Sequence, residues 1–286
     1  MNMSVLKSPK STPPGRKIVR AILLALIATY LAPCAHFFVR QEWYLLKPNA
    51  DPTGGSPSKL QGEEFVLPVR DEAQIHYRKY ITTSVPSKGS VFYLHGNKGN
   101  MNKCEWEIEF LIERGYNVWT MDYRGYGDSV GTMSELALKE DAMAVFNKIT
   151  EMDSAELIII WGRSFGSGVA ASVAAGANRK PKMLVLETPY WSLVDAVRQK
   201  YPYLPPIIFR YELPIYKFLK SARCPIHLIH GTQDEKIPPN SSDRLHDLCE
   251  AEGIKVTGHS VMCGKHNLRE LAEFERITAS ILAANE

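Results

Sequence analysis

Along most of this chain, short apolar runs alternate with longer stretches in which apolar residues recur at helical spacing. The short runs cover Ser90–Leu94, Tyr116–Asp122, Leu157–Trp161, Met183–Glu187, Pro225–His230 and Lys255–Val261. Most are β-branched, too brief for helices, and apolar at successive positions, as strands buried on both faces of a sheet are. The helical stretches between them are Asn102–Arg114, Ser134–Met152, an alanine-rich run after Ser164, and Leu268–Ala284. Strand and helix in alternation predict an α/β fold, a mostly parallel, doubly wound sheet with its ligand site at the carboxyl ends of the strands. Glu64–Val69 and Gln74–Thr82 alternate with period two around Arg70-Asp71-Glu72, which predicts an antiparallel pair at one edge.

The N-terminal pattern differs. From Ala21 to Val39 the chain reads AILLALIATYLAPCAHFFV, with no acidic residue, lysine or arginine, close to the roughly 20 residues that cross a bilayer core. The expected organisation is a disordered basic tail over 1–17, a transmembrane anchor over 18–40, a Pro/Gly-rich linker over 41–62, and a globular domain over 63–286. Lys7, Lys10, Arg16, Lys17 and Arg20 precede the apolar run, against Arg40 and Lys47 after it. That bias predicts a cytoplasmic N-terminus and a domain on the periplasmic or lumenal side. The alternative is secretion after signal cleavage. No A-x-A site follows the run, and Pro33 before Cys34 does not fit a lipoprotein signal. His36, near the far end, is expected to face headgroups.

Composition narrows the function classes. Hydrophobic content of 45% with 23% charged residues describes a globular protein, and a net charge of +3 is too small to argue for nucleic acid. Five scattered cysteines without metal-ligand spacing fit free thiols. A single Cys249–Cys263 bridge stays open, as does the oligomeric state. No metal or cofactor is expected.

The chemistry concentrates in Gly162-Arg163-Ser164-Phe165-Gly166. A buried strand running into G-x-S-x-G and then a helix of small residues is a nucleophile elbow, whose tight turn projects the serine hydroxyl and whose helix start offers N–H groups to an oxyanion. Gly127-Asp128-Ser129-Val130-Gly131 matches the same pentapeptide, but no helix pattern follows until about Ser134, so Ser129 reads as a loop residue. A serine hydroxyl needs a base, and the base an orienting acid. Asp234, in the turn after the Pro225–His230 strand, is the expected acid, with Glu235 its near competitor. His266, between the last strand and the last helix, is the expected base. His259 lies inside a strand, His227 and His230 precede the acid, and His246 belongs to a helix. The expected oxyanion donors are the backbone N–H groups of Phe165 and Asn97, the latter in His95-Gly96-Asn97-Lys98-Gly99-Asn100. That loop lacks the G-K-[S/T] ending of a phosphate loop, and His95 reads as its bracket. The insertion over about 189–222 is aromatic and broken by Pro202, Pro205, Pro206 and Pro214. It is expected to cap an acyl pocket, with Trp191 and Phe209 as candidate walls.

Four blocks together resemble the α/β-hydrolase superfamily: Leu94–Asn100, Asp122–Ser129, Gly162–Gly166, and His230–Asp234 with His266-Asn267. With the apolar segment in front, the whole resembles membrane-anchored abhydrolase-domain serine hydrolases. The resemblance implies an α/β-hydrolase domain over 63–286 and a Ser164–His266–Asp234 triad. Some members of that group are thioesterases acting on acylated proteins, and others are peptidase-like. The expected activity is carboxylesterase or thioesterase cleavage of a small-molecule or lipid-like acyl substrate. A peptidase or amidase with the same triad is the alternative, and a catalytically silent membrane-anchored binding protein the third reading.

Overall fold

The computed structural model describes residues 14–47 and 60–283; most of the expected basic tail and much of the expected linker lie outside them. Eight strands form one sheet: β1 (Glu63–Pro68), β2 (Gln74–Tyr80), β3 (Ser90–Leu94), β4 (Asn117–Met121), β5 (Ile158–Arg163), β6 (Met183–Glu187), β7 (Ile226–Gly231) and β8 (Val256–Val261). Their order is β1-β2-β4-β3-β5-β6-β7-β8. β1 pairs antiparallel with β2 and β2 with β4, while β4, β3 and β5 to β8 run parallel.

The apolar runs are continuous because both faces of the sheet are covered. In β5, Ile158 and Ile160 enter one core with Phe92, Leu94 and Val169, while Ile159 and Trp161 enter the other with Val91, Tyr93 and Met183. Each such side chain contributes on the order of 1.5–3 kcal/mol of transfer free energy. The helices are α1 (Pro14–Gln41), α2 (Glu105–Glu113), α3 (Glu135–Met152), α4 (Phe165–Gly176), α5 (Leu193–Lys200), α6 (Ile215–Leu219), α7 (Asn240–Ala251) and α8 (Ala272–Ala283). α2 begins later than the apolar spacing predicts, because Asn100 caps a 3₁₀ turn over Met101–Cys104 by accepting from the Asn102 N–H. Leu268 lies buried ahead of α8 rather than in its first turn.

α1 is long and apolar enough to cross a membrane. Its far end nevertheless packs on the domain: Cys34, Phe37 and Gln41, spaced three and four apart along one face, are buried. One further turn, Glu42–Leu46, buries Leu45 and Leu46. The proline-broken insertion forms α5, a short turn at Pro206–Ile208, and α6. All five cysteines are free; Cys263 is exposed and the other four are buried.

Candidate active site

β5 delivers Ser164 into a turn at φ 52°, ψ −118°, outside the regions L-residues ordinarily occupy. The flanking glycines make that turn possible. A Cβ on Gly162 would strike the Gly166 carbonyl and Ala170, and one on Gly166 would strike the carbonyls of Leu94 and His95. The Ser164 N–H donates to the Glu187 carbonyl at 2.8 Å, fixing the elbow to β6. α4 starts at Phe165, directly after Ser164, so its first N–H groups have no intrahelical acceptor. The β3 loop lies alongside: a Cβ on Gly96 would stand 3.7 Å from Ser164 Cβ. Asn97 follows it and lines the same cavity as Ser164 and Phe165.

The structure brings Ser164, His266 and Asp234 into one chain. Ser164 Oγ lies 3.0 Å from His266 Nε2, and His266 Nδ1 lies 2.8 Å from Asp234 Oδ2. A carboxylate accepts, so Nδ1 carries the proton and Nε2 presents its lone pair to the serine hydroxyl. The acid turn and the histidine loop are joined by backbone: the Gln233 N–H donates to the Gly264 carbonyl at 2.8 Å and the Thr232 N–H to Val261 at 3.0 Å. Burial alone would raise the Asp234 carboxyl. Hydrogen bonds from His230, His266 and the Ile237 N–H outweigh burial and hold it well below the usual carboxylate range. Glu235 is exposed and takes no place in this chain.

Behind the triad, Arg163 Nη2 donates to Asn267 Oδ1 at 3.1 Å and Arg163 Nε sits 3.0 Å from Glu187. Glu107 lies 3.6 Å from Arg163 and 2.8 Å from Arg269. This cluster ties Arg163, which precedes Ser164, to Asn267, which follows His266, a link that spacing along the chain could not reveal.

The remaining sequence candidates fall elsewhere. Ser129 is buried, donates to the Asp122 carbonyl at 2.8 Å and accepts from the His76 N–H at 2.9 Å. His95 is buried and its Nδ1 donates to the Gly96 carbonyl at 2.7 Å. Burial pushes it down to about 4, so it is neutral and Nε2 turns a lone pair toward Asp122 Oδ1 at 3.6 Å. Burial pushes the Asp122 carboxyl up to about 7. His227 and His259 pair with each other at 3.1 Å across β7 and β8. His246, Asp247 and Glu250 bring ligand atoms within 4.8 Å of one another on α7, and none of them lines the cavity above Ser164.

That cavity measures about 900 Å³. Its floor holds Ser164 and His266. α5 supplies Leu193, Ala196 and Val197 as one wall, and Tyr201, Tyr203 and Leu204 follow. α1 and the turn after it contribute Ala32, Pro33, Phe37, Trp43 and Leu45 among others. Trp191 and Phe209, expected as walls, are not among the lining residues. Trp191 is stacked flat on Tyr216 with centroids 4.7 Å apart, and the Arg244 guanidinium lies 4.3 Å from its ring centroid. Phe209 is taken up by an edge contact with Phe37 at 5.1 Å. The aromatic content of the insertion thus divides between internal packing and the cavity. His36, expected among headgroups, lines the cavity and lies 3.2 Å from the Tyr44 hydroxyl.

Residues 85–211 match a family described as serine aminopeptidase, S33. Protein bem46 of Schizosaccharomyces pombe is 28% identical over 266 residues, covering 87% of this chain and 88% of that one. The lysophosphatidylserine lipase ABHD12 of Rattus norvegicus is 32% identical over 178 residues, covering 55% of this chain and 44% of that one. The chain therefore spans most of the first relative but less than half of the lipase. Among solved structures, an esterase of Pyrococcus furiosus superposes with a TM-score of 0.62 at 18% identity, covering 79% of this chain and 90% of that one. At that identity the likeness is one of fold.

Proposed function

The chain belongs to the α/β-hydrolase superfamily as an abhydrolase-domain protein, and from that premise we propose that it is a membrane-anchored serine hydrolase acting through an acyl-enzyme on Ser164. Its substrates are carboxylic esters or thioesters with an apolar acyl chain. The observation that carries this is the hydrogen-bonded chain Ser164–His266–Asp234 at the floor of an apolar-walled cavity.

Each step falls to a named group. Ser164 Oγ attacks the acyl carbon while His266 Nε2 takes its proton, and the ionised Asp234 stabilises the imidazolium so formed. The N–H groups of Phe165 and Asn97 receive the oxyanion. His266 then returns the proton to the departing alcohol or thiol, and water, activated by the same imidazole, releases the acid.

Lys47, Lys200 and Lys236 line the cavity, and no carboxylate does so among the described residues. That charge pattern suits an ester whose head carries negative charge, in keeping with the lysophosphatidylserine named for one relative. It opposes an aminopeptidase, which needs a carboxylate to receive a substrate ammonium.

A fluorophosphonate probe, followed by peptide mapping, should place its adduct on Ser164. Rates measured on acyl esters, thioesters and aminoacyl amides should rise with acyl length in kcat/KM by at least about tenfold from acetyl to medium chains, at up to about 0.8 kcal/mol per buried methylene. Efficient amide cleavage with a flat ester profile would instead establish the peptidase alternative.

A further inference from the structure

α1 cannot cross a bilayer and also hold the cap clear of it. The Tyr30 hydroxyl donates to the Tyr203 carbonyl at 2.9 Å, so the cap reaches α1 ten positions before Arg40. At 1.5 Å per residue that contact lies about 15 Å along the axis from the first basic residue after the apolar run. The run ahead of the contact, Ala21 to Thr29, extends only about 13 Å. A hydrocarbon core measures about 30 Å. Only the whole run, including the part against the cap, is long enough.

The attachment is firm over its length. Phe37 meets Phe209 at 5.1 Å. The buried Gln41 side chain donates to the Ile208 carbonyl at 2.6 Å and accepts from the Arg210 N–H at 2.8 Å. Glu42 pairs with Arg210 at 2.6 Å and receives the Tyr211 hydroxyl at 2.9 Å. Beside this seam the cap exposes apolar surface that no other part of the described chain covers: Tyr203 is 57% and Ile207 89% exposed. Trp43, in the turn after α1, is 67% exposed, and aromatic side chains of this kind favour the membrane–water boundary.

We infer that the cap docks into one leaflet of the bilayer that α1 spans, with Tyr203 and Ile207 in contact with lipid. The cavity, lined by Ala32, Pro33 and Phe37 of α1, then lies at the depth of the acyl chains. This rests on α1 spanning a bilayer and not on the hydrolytic reading of Ser164.

One exposed cysteine at a time in the full-length chain tests the depth. Cys263→Ser removes the one exposed thiol among the described residues, and Leu24→Cys, Tyr203→Cys, Ile207→Cys or Val85→Cys is then labelled with an environment-sensitive fluorophore. Each protein is reconstituted in phosphatidylcholine vesicles with and without acyl-chain doxyl quenchers. Val85, 94% exposed, precedes β3 at the sheet end remote from Ser164 and serves as the aqueous reference. Labels at Leu24, Tyr203 and Ile207 should be quenched several-fold more than the label at Val85, with Tyr203 deeper than Ile207. Quenching at Leu24 without quenching at Tyr203 or Ile207 overturns the docking of the cap. An unquenched label at Leu24 overturns the span itself, and the inference with it, whatever the hydrolase assays return.

Discussion

Ser164 is held at a positive φ of 52°, a placement that costs on the order of 1–3 kcal/mol and persists only where its surroundings impose it. The contrast with Ser129 shows why one pentapeptide serves two ends. Ser129 spends both its hydrogen-bonding capacities on the Asp122 carbonyl and the His76 N–H, whereas Ser164 meets an imidazole. Ser129→Ala should therefore destabilise the fold by about 1–3 kcal/mol, read by denaturant unfolding, and leave probe labelling intact. A loss of labelling in folded Ser129→Ala would reverse the assignment. Asp122 gives a second residue-scale prediction. Its carboxyl is held up at about 7 against about 4 in an unfolded chain. The folded state thus binds the proton more tightly, so this contribution to stability is complete below about pH 4 and is lost as pH rises through 7. The unfolding midpoint of the native chain should fall more steeply between pH 5 and 8 than that of Asp122→Asn; parallel curves would refute this. The residues of the hydrogen-bonded chain Ser164–His266–Asp234 were legible because chain order and turn position leave few candidates. The tautomer of His95 and the state of Asp122 were not, since both follow from burial that no local spacing encodes.

At the scale of elements, the parallel strands and their helices followed from runs such as Ile158–Trp161, apolar at every position because both faces are covered. Of the two partners of β2, β1 followed from the alternation around Arg70-Asp71-Glu72, but β4 did not, because that antiparallel pairing joins segments that no local pattern links. The Arg163 cluster has the same character: Glu107, Arg163, Glu187 and Arg269 come from α2, β5, β6 and the approach to α8. Removing the cation strands Glu187, which is buried. Arg163→Gln should destabilise the fold by about 3–5 kcal/mol and lower kcat more than it raises KM, because Asn267 loses its tie to the elbow. The cap was legible as aromatic and proline-broken, but not in which aromatics face the cavity. Val197 on α5 lines the wall, so Val197→Trp should shift the preferred acyl length downward while leaving acetyl esters nearly unaffected. An unchanged length profile would show that the chain binds elsewhere.

The docking of α1 on the domain was hidden by its own composition. A helix that is apolar all round shows no face, so the buried positions Cys34, Phe37 and Gln41 do not stand out from exposed neighbours such as Leu31 and Val39. The charges at its ends are more informative. Lys7, Lys10, Arg16, Lys17 and Arg20 lie before Ala21, with Arg40 and Lys47 after Val39. Translocating the basic end across the bilayer is disfavoured, which predicts a cytoplasmic N-terminus and a hydrolase domain on the opposite side. The domain hangs from that end through Gln41, Glu42 and the buried Leu45 and Leu46, so it must share the side on which Arg40 emerges. Protease added to cells whose outer barrier has been opened, with the inner compartment sealed, should remove the domain and spare a short N-terminal fragment carrying an epitope tag. Replacing Arg16, Lys17 and Arg20 with glutamine and adding lysines after Lys47 should invert a measurable fraction of molecules and protect the domain in proportion. Full protection of the native protein before the inner compartment is lysed would place the site in the cytoplasm and limit its substrates to the cytoplasmic leaflet.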